Sequence, residues 1–516
     1  AGVSPAAIAG NYDFEWADPG GADWACPDFL VPGIFVQDTL MMVDDGTPGI
    51  HATYGHPLAQ QACAPLVNDL TGKIAVLFRG DCEFGFKALQ AENAGAVAVL
   101  IINHTGDAVP MGGGVEGLNV TIPVVMVGDN DGANIMAEML LGPVVMFLGN
   151  KVGAYTNDVG ANSSELLISP FSGSNSKLDN GFDLGIQLYN FGSDPQSNIT
   201  VMANIDGPGG NVYNNVINAP TMNSGDTLSV FNGNTYAFPP FDLGGVGMYP
   251  AGVYTLTYTL DLGIADDSDF DNVFTSTFTV NPDVISLSRI DASNMPISNT
   301  YPSNSTTDYQ SCMFFVDPNA SDITIDGLYF VPHTDLSLNQ LAGAEIFVNF
   351  YLWDDAWVDL NDPAYVGGAN NDWFQNLSLF AFETYYPASD AENDLPQFVP
   401  MTPLTFVDNQ RYLICLQSYD PVIVFGYDSQ LNYDGNQGIN AMPVSPVNVD
   451  GTWYTGGWNG TSASSIALSS PVGVGIEEVT NVAGMAYPNP AKDVVTVSIA
   501  SEGSANLTVT DVSGKV

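Results

Sequence analysis

Two loops of this chain concentrate carboxylates in patterns that suit a hard cation. The first runs Asp266-Asp267-Ser268-Asp269-Phe270-Asp271-Asn272, and the second runs Trp353-Asp354-Asp355-Ala356-Trp357-Val358-Asp359. Calcium takes about six to eight oxygen ligands, which such loops can supply, although neither has the spacing of an EF-hand. Solvated surface acids are the competing interpretation. Calcium is the only cofactor that the sequence suggests, with candidate ligands Asp266, Asp267, Asp269, Asp271, Asp354, Asp355 and Asp359.

Catalytic signatures are absent from the sequence. It contains no His-Glu-x-x-His zinc-protease motif, no Gly-x-Ser-x-Gly nucleophile elbow and no Gly-x-x-x-x-Gly-Lys phosphate loop. His51 and His56 lie five residues apart and can form a metal pair, but surface residues of a Gly/Pro-rich loop are the favoured interpretation. His104 and His333 are scattered. The sequence therefore predicts a protein that is not an enzyme.

Two further patterns are weaker. Aromatic residues of the 351–373 region can form a sugar-binding platform, although the core of a β-sandwich explains them more simply; they are Tyr351, Trp353, Trp357 and Trp373. Asp-Thr-Leu occurs at 38–40 and 226–228 and resembles the O-glycosylation sequon of Bacteroidetes. That resemblance makes Thr39 and Thr227 candidate acceptors.

Charge limits the classes of partner. The 516 residues include 9 Lys+Arg and 57 Asp+Glu, which gives a formal net charge of −48. Such a surface repels nucleic acids and anionic membranes, whereas divalent cations and cationic partners fit it.

No apolar run approaches the ~18 residues of a membrane-spanning helix. No basic segment precedes the start, so we expect Ala1 to be a mature N-terminus after signal cleavage.

Helical signals are confined to residues 1–152. Continuous apolar runs predict buried strands at 74–78, 96–102 and 122–127. Between the first two, residues 86–95 predict a short helix that ends at a glycine. A second helix is predicted at 131–141, after the third strand. This order predicts a small α/β domain.

The α/β segment resembles a protease-associated (PA) domain over residues 55–145. The resemblance rests on Cys63-Ala64-Pro65-Leu66, on Arg79-Gly80-Asp81-Cys82-Glu83-Phe84 and on the Gly112-Gly113-Gly114 loop. It implies a domain that binds proteins or peptides, or covers a neighbouring protease, without being catalytic. Cys63 and Cys82 bracket its first core strand, and in an oxidising exported setting we expect them to form a disulfide, with Cys26 left over.

Residues 155–282 change to an alternation of apolar and polar residues. Strands are predicted at 184–192, 254–260 and 272–280, separated by Gly, Asn and Asp turns, which indicates an antiparallel sandwich. The Asn-Phe-Gly turn at 190–192, the Gly-Val-Tyr-Thr-Leu strand at 252–256 and the 271–272 loop resemble a CARDB-type immunoglobulin-like module.

Residues 283–475 continue as β structure without resembling a known family. Strands are predicted at 323–331, 344–353 and 411–419, in one large sandwich rather than two small ones. Cys312 and Cys415 fall in separate strands of this segment and can pair. The Asn-Pro at 281–282 and the Gly-rich 472–475 stretch are the expected joints.

The C-terminal segment opens with Tyr487-Pro488-Asn489-Pro490 and continues into an alternating strand at 495–499. The two prolines fix φ and lack an N–H, so the tetrapeptide forms a turn. This opening resembles the start of the C-terminal sorting domain of the Bacteroidetes type IX secretion system. The resemblance implies export through the outer membrane to the cell surface or beyond, with the type IX machinery as a partner.

Together these observations predict a multidomain, mainly β protein: an N-terminal α/β PA domain (1–152), a CARDB-like sandwich (155–282), a further sandwich (283–475) and an incomplete sorting domain (476–516). The predicted function is non-enzymatic protein interaction or structural assembly at the cell surface, with a homopolymeric filament or layer as a finer hypothesis and copies of the chain as partners. The alternatives are the non-catalytic portion of a secreted metalloprotease and a carbohydrate-binding adhesin.

Overall fold

A computed structural model of the chain describes residues 1–8, 10, 12–243, 249–302, 308–365, 374–458, 460–470, 485–487 and 496–498. The chain forms a large compact unit, Ala1–Ser470, and a second unit, Pro471–Val516. Strands account for 38% of the residues and helices for 11%, which confirms the predicted mainly β fold class. None of the described helices is both long and apolar enough to cross a membrane.

The N-terminal part is built around a seven-stranded sheet. Its strands are β1 (Gly2–Ser4), β2 (Phe14–Trp16), β3 (Phe35–Met42), β4 (Ile74–Phe78), β5 (Ala98–Ile102), β6 (Val124–Val127) and β7 (Val145–Gly149). They lie in the order β1-β7-β3-β4-β5-β6-β2, and β3, β4, β5 and β6 run parallel. The helices are α1 (Phe84–Asn93) and α2 (Asp129–Leu141), with 3-10 turns at Ala6–Ile8, Pro19–Gly21, Leu58–Gln61 and Gly117–Asn119.

Both faces of the parallel strands are buried, which explains their continuous apolar sequence. One face packs against Ala88 and Ala91 of α1. The other packs against Ile135 of α2. A Cβ added to Gly132 would lie 2.2 Å from Cγ2 of Ile102, so only glycine lets α2 approach the sheet this closely.

The next segment supplies nine strands and a 3-10 turn at Asp269–Asp271. The strands are β8 (Val159–Leu166), β9 (Gly173–Asn175), β10 (Ile186–Asn190), β11 (Thr200–Gly207), β12 (Gly210–Asn218), β13 (Thr227–Val230), β14 (Gly252–Asp261), β15 (Val273–Asn281) and β16 (Val284–Ser286). In β14, Tyr254, Leu256 and Tyr258 are buried and the residues between them are half-buried. The alternation predicted from the sequence therefore matches the burial of this strand, because every second side chain faces the core.

The last part of the large unit holds thirteen strands. They are β17 (Tyr309–Phe315), β18 (Thr324–Phe330), β19 (Pro332–His333), β20 (Ile346–Trp353), β21 (Leu377–Tyr385), β22 (Gln397–Thr405), β23 (Tyr412–Ser418), β24 (Val424–Phe425), β25 (Tyr427–Asp428), β26 (Val447–Val449), β27 (Thr452–Tyr454), β28 (Ala463–Ser464) and β29 (Ile466–Ser469). The short helix α3 (Asp434–Gly438) and 3-10 turns at Ala320–Asp322 and Asp390–Glu392 complete it.

The two predicted sandwiches are joined rather than separate. A nine-stranded sheet runs β12-β11-β14-β15-β9-β16-β29-β18-β22, so its strands come from both sides of the predicted boundary at 282–283. A six-stranded sheet, β21-β20-β23-β17-β26-β27, and a three-stranded sheet, β13-β10-β8, complete the body. One continuous core extends from Val159 to Leu468. Backbone pairing between β9, β15, β16 and β29 crosses the expected joint, so the two predicted sandwiches form one continuous structure.

The second unit contains one described strand pair. β30 (Met485–Tyr487) pairs antiparallel with β31 (Thr496–Ser498), and Tyr487 lies opposite Thr496. The predicted strand at 495–499 contains β31. Pro488, Asn489 and Pro490 of the sorting motif lie outside the described residues.

A buried ion cluster joins the N-terminal sheet to the sandwich. Lys151, just after β7, places its Nζ 2.9 Å from Oδ1 of Asp158 and 2.7 Å from Oδ1 of Asp271. The same ammonium lies 4.5 Å from the ring centre of Phe270 and 5.0 Å from that of Phe191. Burial raises the pKa of Asp158 to about 7, although the ammonium of Lys151 opposes the shift. Breaking the cluster leaves buried charge without a partner.

We expect Lys151→Met to lower the free energy of unfolding by about 3–5 kcal/mol, because both carboxylates lose their cation while they stay buried. Guanidinium unfolding followed by tryptophan fluorescence measures this change. The control is Lys177→Met at a half-buried position, where we expect a change within about 0.5 kcal/mol. Equal effects of the two substitutions would show that the cluster contributes nothing.

Candidate functional site

Three loops meet at the carboxyl edge of the parallel strands of the N-terminal sheet. Residues 43–57 follow β3, residues 79–83 follow β4, and residues 103–107 follow β5. Parallel neighbouring strands bring their carboxyl ends to one edge, which is where open α/β sheets bind ligands. This edge gathers three of the chain's four histidines, and it is the candidate functional site.

His51 is fixed by its neighbours. Its Nδ1 accepts the backbone N–H groups of Thr53 and Tyr54, both at 3.2 Å. An accepting Nδ1 leaves the hydrogen of the neutral ring on Nε2. That nitrogen lies 3.2 Å from Oδ1 of Asp81, an exposed carboxylate on the next loop. The imidazole therefore ties two loops of the edge together.

Five rings form a continuous stack across the edge. The ring centre of His104 lies 3.8 Å from that of Tyr54, and Tyr54 lies 4.5 Å from His51. His51 lies 5.3 Å from His56, which stacks at 4.6 Å on Phe78. Tyr54 is 41% exposed, so the stack presents an aromatic face to solvent. We call His51, Tyr54, His56, His104 and Arg79 the histidine edge.

Burial keeps the inner imidazoles neutral. Desolvation, followed by repulsion from His51 and Lys87, lowers the pKa of His56. Desolvation, followed by the positive charge of Arg79, lowers the pKa of His104. The Nδ1 of His104 is buried without a hydrogen-bond partner among the described residues. At neutral pH, His56 and His104 therefore offer ring faces and ring nitrogens rather than charges.

Arg79 is the permanent cation of the edge. Its guanidinium donates to Oδ1 of Asn103 at 3.1 Å and lies 5.8 Å from the ring centre of Phe84. Asn103 in turn donates through Nδ2 to the backbone carbonyls of Thr105 and Asp107, which shapes the 103–107 loop. Because none of these partners is a carboxylate, the charge of Arg79 stays available to a ligand.

A disulfide and a buried lysine hold the loops of the histidine edge in place. Cys63 and Cys82 form the expected disulfide, with an S–S distance of 2.12 Å, and so connect the loops on either side of β4. Lys87 of α1 is fully buried and donates to the carbonyl of Gln61 at 2.7 Å. Burial lowers the pKa of Lys87 to about 8. The side chain of Gln61 also accepts the N–H of Asp81 at 3.1 Å.

The first predicted calcium loop is organised by hydrogen bonds to the backbone. Asp266 accepts the N–H groups of Ser268 and Val159, and Asp267 accepts that of Asn157. Asp271 pairs with Lys151, whereas Asp269 lies in the 3-10 turn. Throughout the described ranges, no group of three His, Cys, Asp or Glu side chains is arranged to hold a metal. Calcium at this loop stays a prediction.

The carboxylates of the second loop also bond within the chain. Asp354 accepts Nε2 of Gln410 at 3.1 Å. Asp355 accepts the N–H groups of residues 375 and 376, both at 3.0 Å, and its other oxygen is buried without a partner in the described structure. Asp359 accepts the N–H of Asn361. These contacts spread the three carboxylates over separate turns, and calcium here also stays a prediction.

The tryptophans of this region are core residues. Trp353 and Trp357 are buried beside the disulfide that Cys312 and Cys415 form between β17 and β23. The guanidinium of Arg411 lies 4.1 Å from the ring centre of Trp353. With these faces covered, they cannot serve as an open sugar platform. Trp373 lies outside the described residues.

Three remaining candidates differ in accessibility. Thr39 lies within β3, opposite Val145 of β7, and is half-buried. Thr227 begins β13 and is exposed. Cys26 is a buried free thiol, and burial raises its pKa to about 12. Of the two glycosylation candidates, Thr227 is therefore the more accessible acceptor.

Comparison with known families places this edge in a recognised domain. Residues 36–135 match the PA domain family, and residues 485–516 match the secretion system C-terminal sorting domain family. The chain carries both domains. The sorting domain directs the protein to the cell surface or the extracellular space, with the type IX secretion machinery involved in its export.

Several relatives share the N-terminal region. The chain is 38% identical over 117 residues to signal peptide peptidase-like 3 of Arabidopsis thaliana, covering 22% of this chain and 21% of the relative. It is 47% identical over 64 residues to an aminopeptidase of Bacillus subtilis, covering 12% of this chain and 14% of the relative. The match thus spans about a fifth or less of these relatives' own length.

Solved structures give similar partial matches. An aminopeptidase from Aneurinibacillus aligns over 25% of this chain and 32% of its own, at 24% identity and a TM-score of 0.17. A CARDB domain from Pyrococcus furiosus aligns over 25% of this chain and 92% of its own, at 14% identity and a TM-score of 0.18.

The sequence alone did not group His104 with His51 and His56, because His104 lies in a different loop from the other two. The 79–83 and 103–107 loops follow strands that the sequence predicted, so the carboxyl-edge rule could have placed these two loops together. Strand β3, which precedes the loop of His51 and His56, was not among the predicted strands, and its position beside β4 comes from the structure.

We expect His56 and His104 to titrate below the ordinary histidine pKa of about 6.5. Because the folded protein holds a proton on His56 and His104 less readily than the unfolded chain, their contribution to stability is present above about pH 6.5 and is lost as pH falls through their lowered pKa values. NMR titration of the imidazole C–H signals measures the midpoints. Substitutions His56→Gln and His104→Gln assign the signals, and a midpoint above 6.5 for either residue would contradict the expectation.

Proposed function

We propose that this protein is a non-enzymatic, exported surface protein that binds a polypeptide partner at the histidine edge. The observation that carries the proposal is the half-exposed ring stack beside Arg79, at the carboxyl edge of a PA-domain sheet. Ring faces can pack against apolar side chains of a partner. The imidazole nitrogens can donate to or accept from its peptide backbone, and the guanidinium can donate to a carboxylate.

The distribution of charge supports a partner at this position. With 9 Lys+Arg against 57 Asp+Glu, most of the surface repels acidic polypeptides. The histidine edge combines three imidazoles with Arg79, which has no carboxylate partner among the residues that the structure describes. A polypeptide with a carboxylate next to an apolar side chain would find complementary groups here and at few other places.

The relatives favour a second candidate, in which this chain is the non-catalytic portion of a secreted metalloprotease. Two of the proteins that share its PA domain are aminopeptidases. In that case the histidine edge would bind a substrate or the propeptide of that protease. The reading frame of the gene on both sides of this sequence decides between the two, since a His-Glu-x-x-His segment would support the protease.

A photo-reactive amino acid at position 54 of the full chain tests the main proposal on cells that export it. We expect a covalent adduct with an intact polypeptide, at several-fold higher yield than from position 141, because Tyr54 lies in the ring stack. Leu141 is the control, since it belongs to the same domain and is 81% exposed. Mass spectrometry identifies the adduct. Equal yields, or no adduct at position 54, would overturn the proposal.

Two open sheet edges favour assembly as a second activity of the same surface protein. β12 ends the nine-stranded sheet and β21 ends the six-stranded sheet. Despite the charge of −48, β12 contains no charged residue and β21 contains only Glu383. On β21, Leu379, Phe380 and Phe382 are exposed. Uncharged edges with free backbone groups are suited to strand addition.

Because the two edges differ, pairing β21 of one copy with β12 of the next would generate a filament rather than a closed dimer. We propose that this head-to-tail contact builds the extracellular assembly. Buried apolar area along β21 would have to offset the repulsion between subunits that each carry −48.

Substitutions Phe382→Lys and Val216→Lys each place a charge on one edge. We expect the unmodified chain to form high-mass species in light scattering after size exclusion, and each variant to be monomeric. A mixture of both variants should form dimers only, because each variant retains one intact edge. Leu141→Lys is the control and should assemble normally. A monomeric unmodified chain at high concentration would contradict assembly, and dimers of Val216→Lys alone would indicate β21–β21 pairing instead.

A further inference from the structure

A cleft of about 1350 Å³ opens between the N-terminal domain and the sandwich, and the residues of the histidine edge do not line it. Residues 12–16 and 128–134 line one wall, and residues 299–302 and 427–432 line the other. Sites for small molecules usually enclose ~300–1,000 Å³, so this cleft has room for several linked rings. Both walls belong to the same compact unit, Ala1–Ser470.

Three aromatic rings in this cleft are exposed to an unusual degree. Phe14 on the N-terminal wall is 50% exposed, and Tyr301 and Trp458 on the sandwich wall are 47% and 45% exposed. Large apolar rings are normally buried or half-buried, and an exposed group of them marks a binding surface. Rings on both walls can contact the two apolar faces of a flat, saturated ring such as a pyranose.

The same cleft contains side-chain amides that have no hydrogen-bond partner in the described part of the chain. The side chains of Asn130, Asn134 and Gln430 line the cleft and are exposed, and none of them hydrogen-bonds to a residue that the structure describes. Each amide carries an acceptor oxygen and a donor nitrogen side by side. That arrangement matches two adjacent hydroxyl groups, each of which can donate and accept.

Charge narrows the class of ligand. Asp13, Asp107 and Asp129 line the N-terminal wall. Two basic groups also line the cleft, and both have partners in the protein: Lys151 is paired with Asp158 and Asp271, and the N-terminal amino group of Ala1 donates to the carbonyl of Phe147. Carboxylates accept hydrogen bonds from hydroxyl groups but repel sulfated or carboxylated sugars. The walls are therefore complementary to a hydroxyl-rich ligand without negative charge.

From the exposed rings, the unpartnered amides and the carboxylates of this cleft, we infer that it binds a neutral oligosaccharide. Phe14 and Trp458 stack on its sugar rings, while Asn130 and Gln430 bond its hydroxyl groups. A basic peptide would satisfy the carboxylates but would make less use of the amides.

Isothermal titration calorimetry, which measures the affinity of the full chain for added oligosaccharides, tests this inference. The probes are short neutral oligosaccharides of glucose, xylose, mannose and N-acetylglucosamine, with oligogalacturonate and oligolysine for comparison. We expect saturable binding of at least one neutral oligosaccharide and none of oligogalacturonate. Phe14→Ala and Trp458→Ala should each weaken binding about tenfold, equivalent to about 1.4 kcal/mol for loss of a stacked ring.

Tyr454→Ala is the matched control, because Tyr454 is 48% exposed and does not line the cleft. It should leave the affinity unchanged, and circular dichroism melting confirms that all variants fold. No binding by any neutral probe at millimolar concentration, binding that both cleft variants retain, or binding of oligolysine alone would each overturn the inference. Cross-linking at position 54 in the same variants shows separately whether the histidine edge still functions.

Discussion

The placement of the N-terminal domain on the sandwich depends on one ammonium group shared by two buried carboxylates. Lys151 comes from the end of the N-terminal sheet, Asp158 precedes the first sandwich strand, and Asp271 is 120 residues further along the chain than Lys151. A buried charge tolerates few positions, because displacement leaves it both desolvated and unpaired. The cluster therefore links the end of the N-terminal sheet to the sandwich at a position that also lines the cleft.

The histidine edge depends on a different constraint, the parallel order of the sheet. Parallel strands deliver their following loops to one side, so residues from three loops can be combined without being near in sequence. The disulfide between Cys63 and Cys82 and the buried Lys87 hold those loops on the scaffold. The residues of the histidine edge thus lie on loops that the sheet, the disulfide and α1 position together.

Continuity of the nine-stranded sheet makes the rest of the large unit a rigid body. Strands from both expected sandwiches pair edge to edge, and their side chains share one core. The nine-stranded sheet ends at β12 and β22, and the six-stranded sheet ends at β21 and β27. Proline 400 and proline 403 interrupt β22, whereas β12 and β21 lack both proline and a run of charges. Rigidity and two unprotected edges are the properties that an assembling surface protein needs.

Local patterns in the sequence determined several of the strands, the two helices of the PA domain and the sorting segment, because alternation, apolar runs and Pro/Gly turns act over a few residues. They also supplied both cysteine pairs as candidates. Tertiary structure decided which residues these elements contact. Asp271, a candidate calcium ligand, pairs with Lys151, and Trp353 and Trp357 lie in the core beside Arg411, as the interpretation favoured from the sequence expected. The position of His104 near His51 and His56, and the continuous sheet across the expected boundary at 282–283, have the same physical cause. Contacts between residues far apart in sequence follow from strand order and loop closure, which no local period encodes.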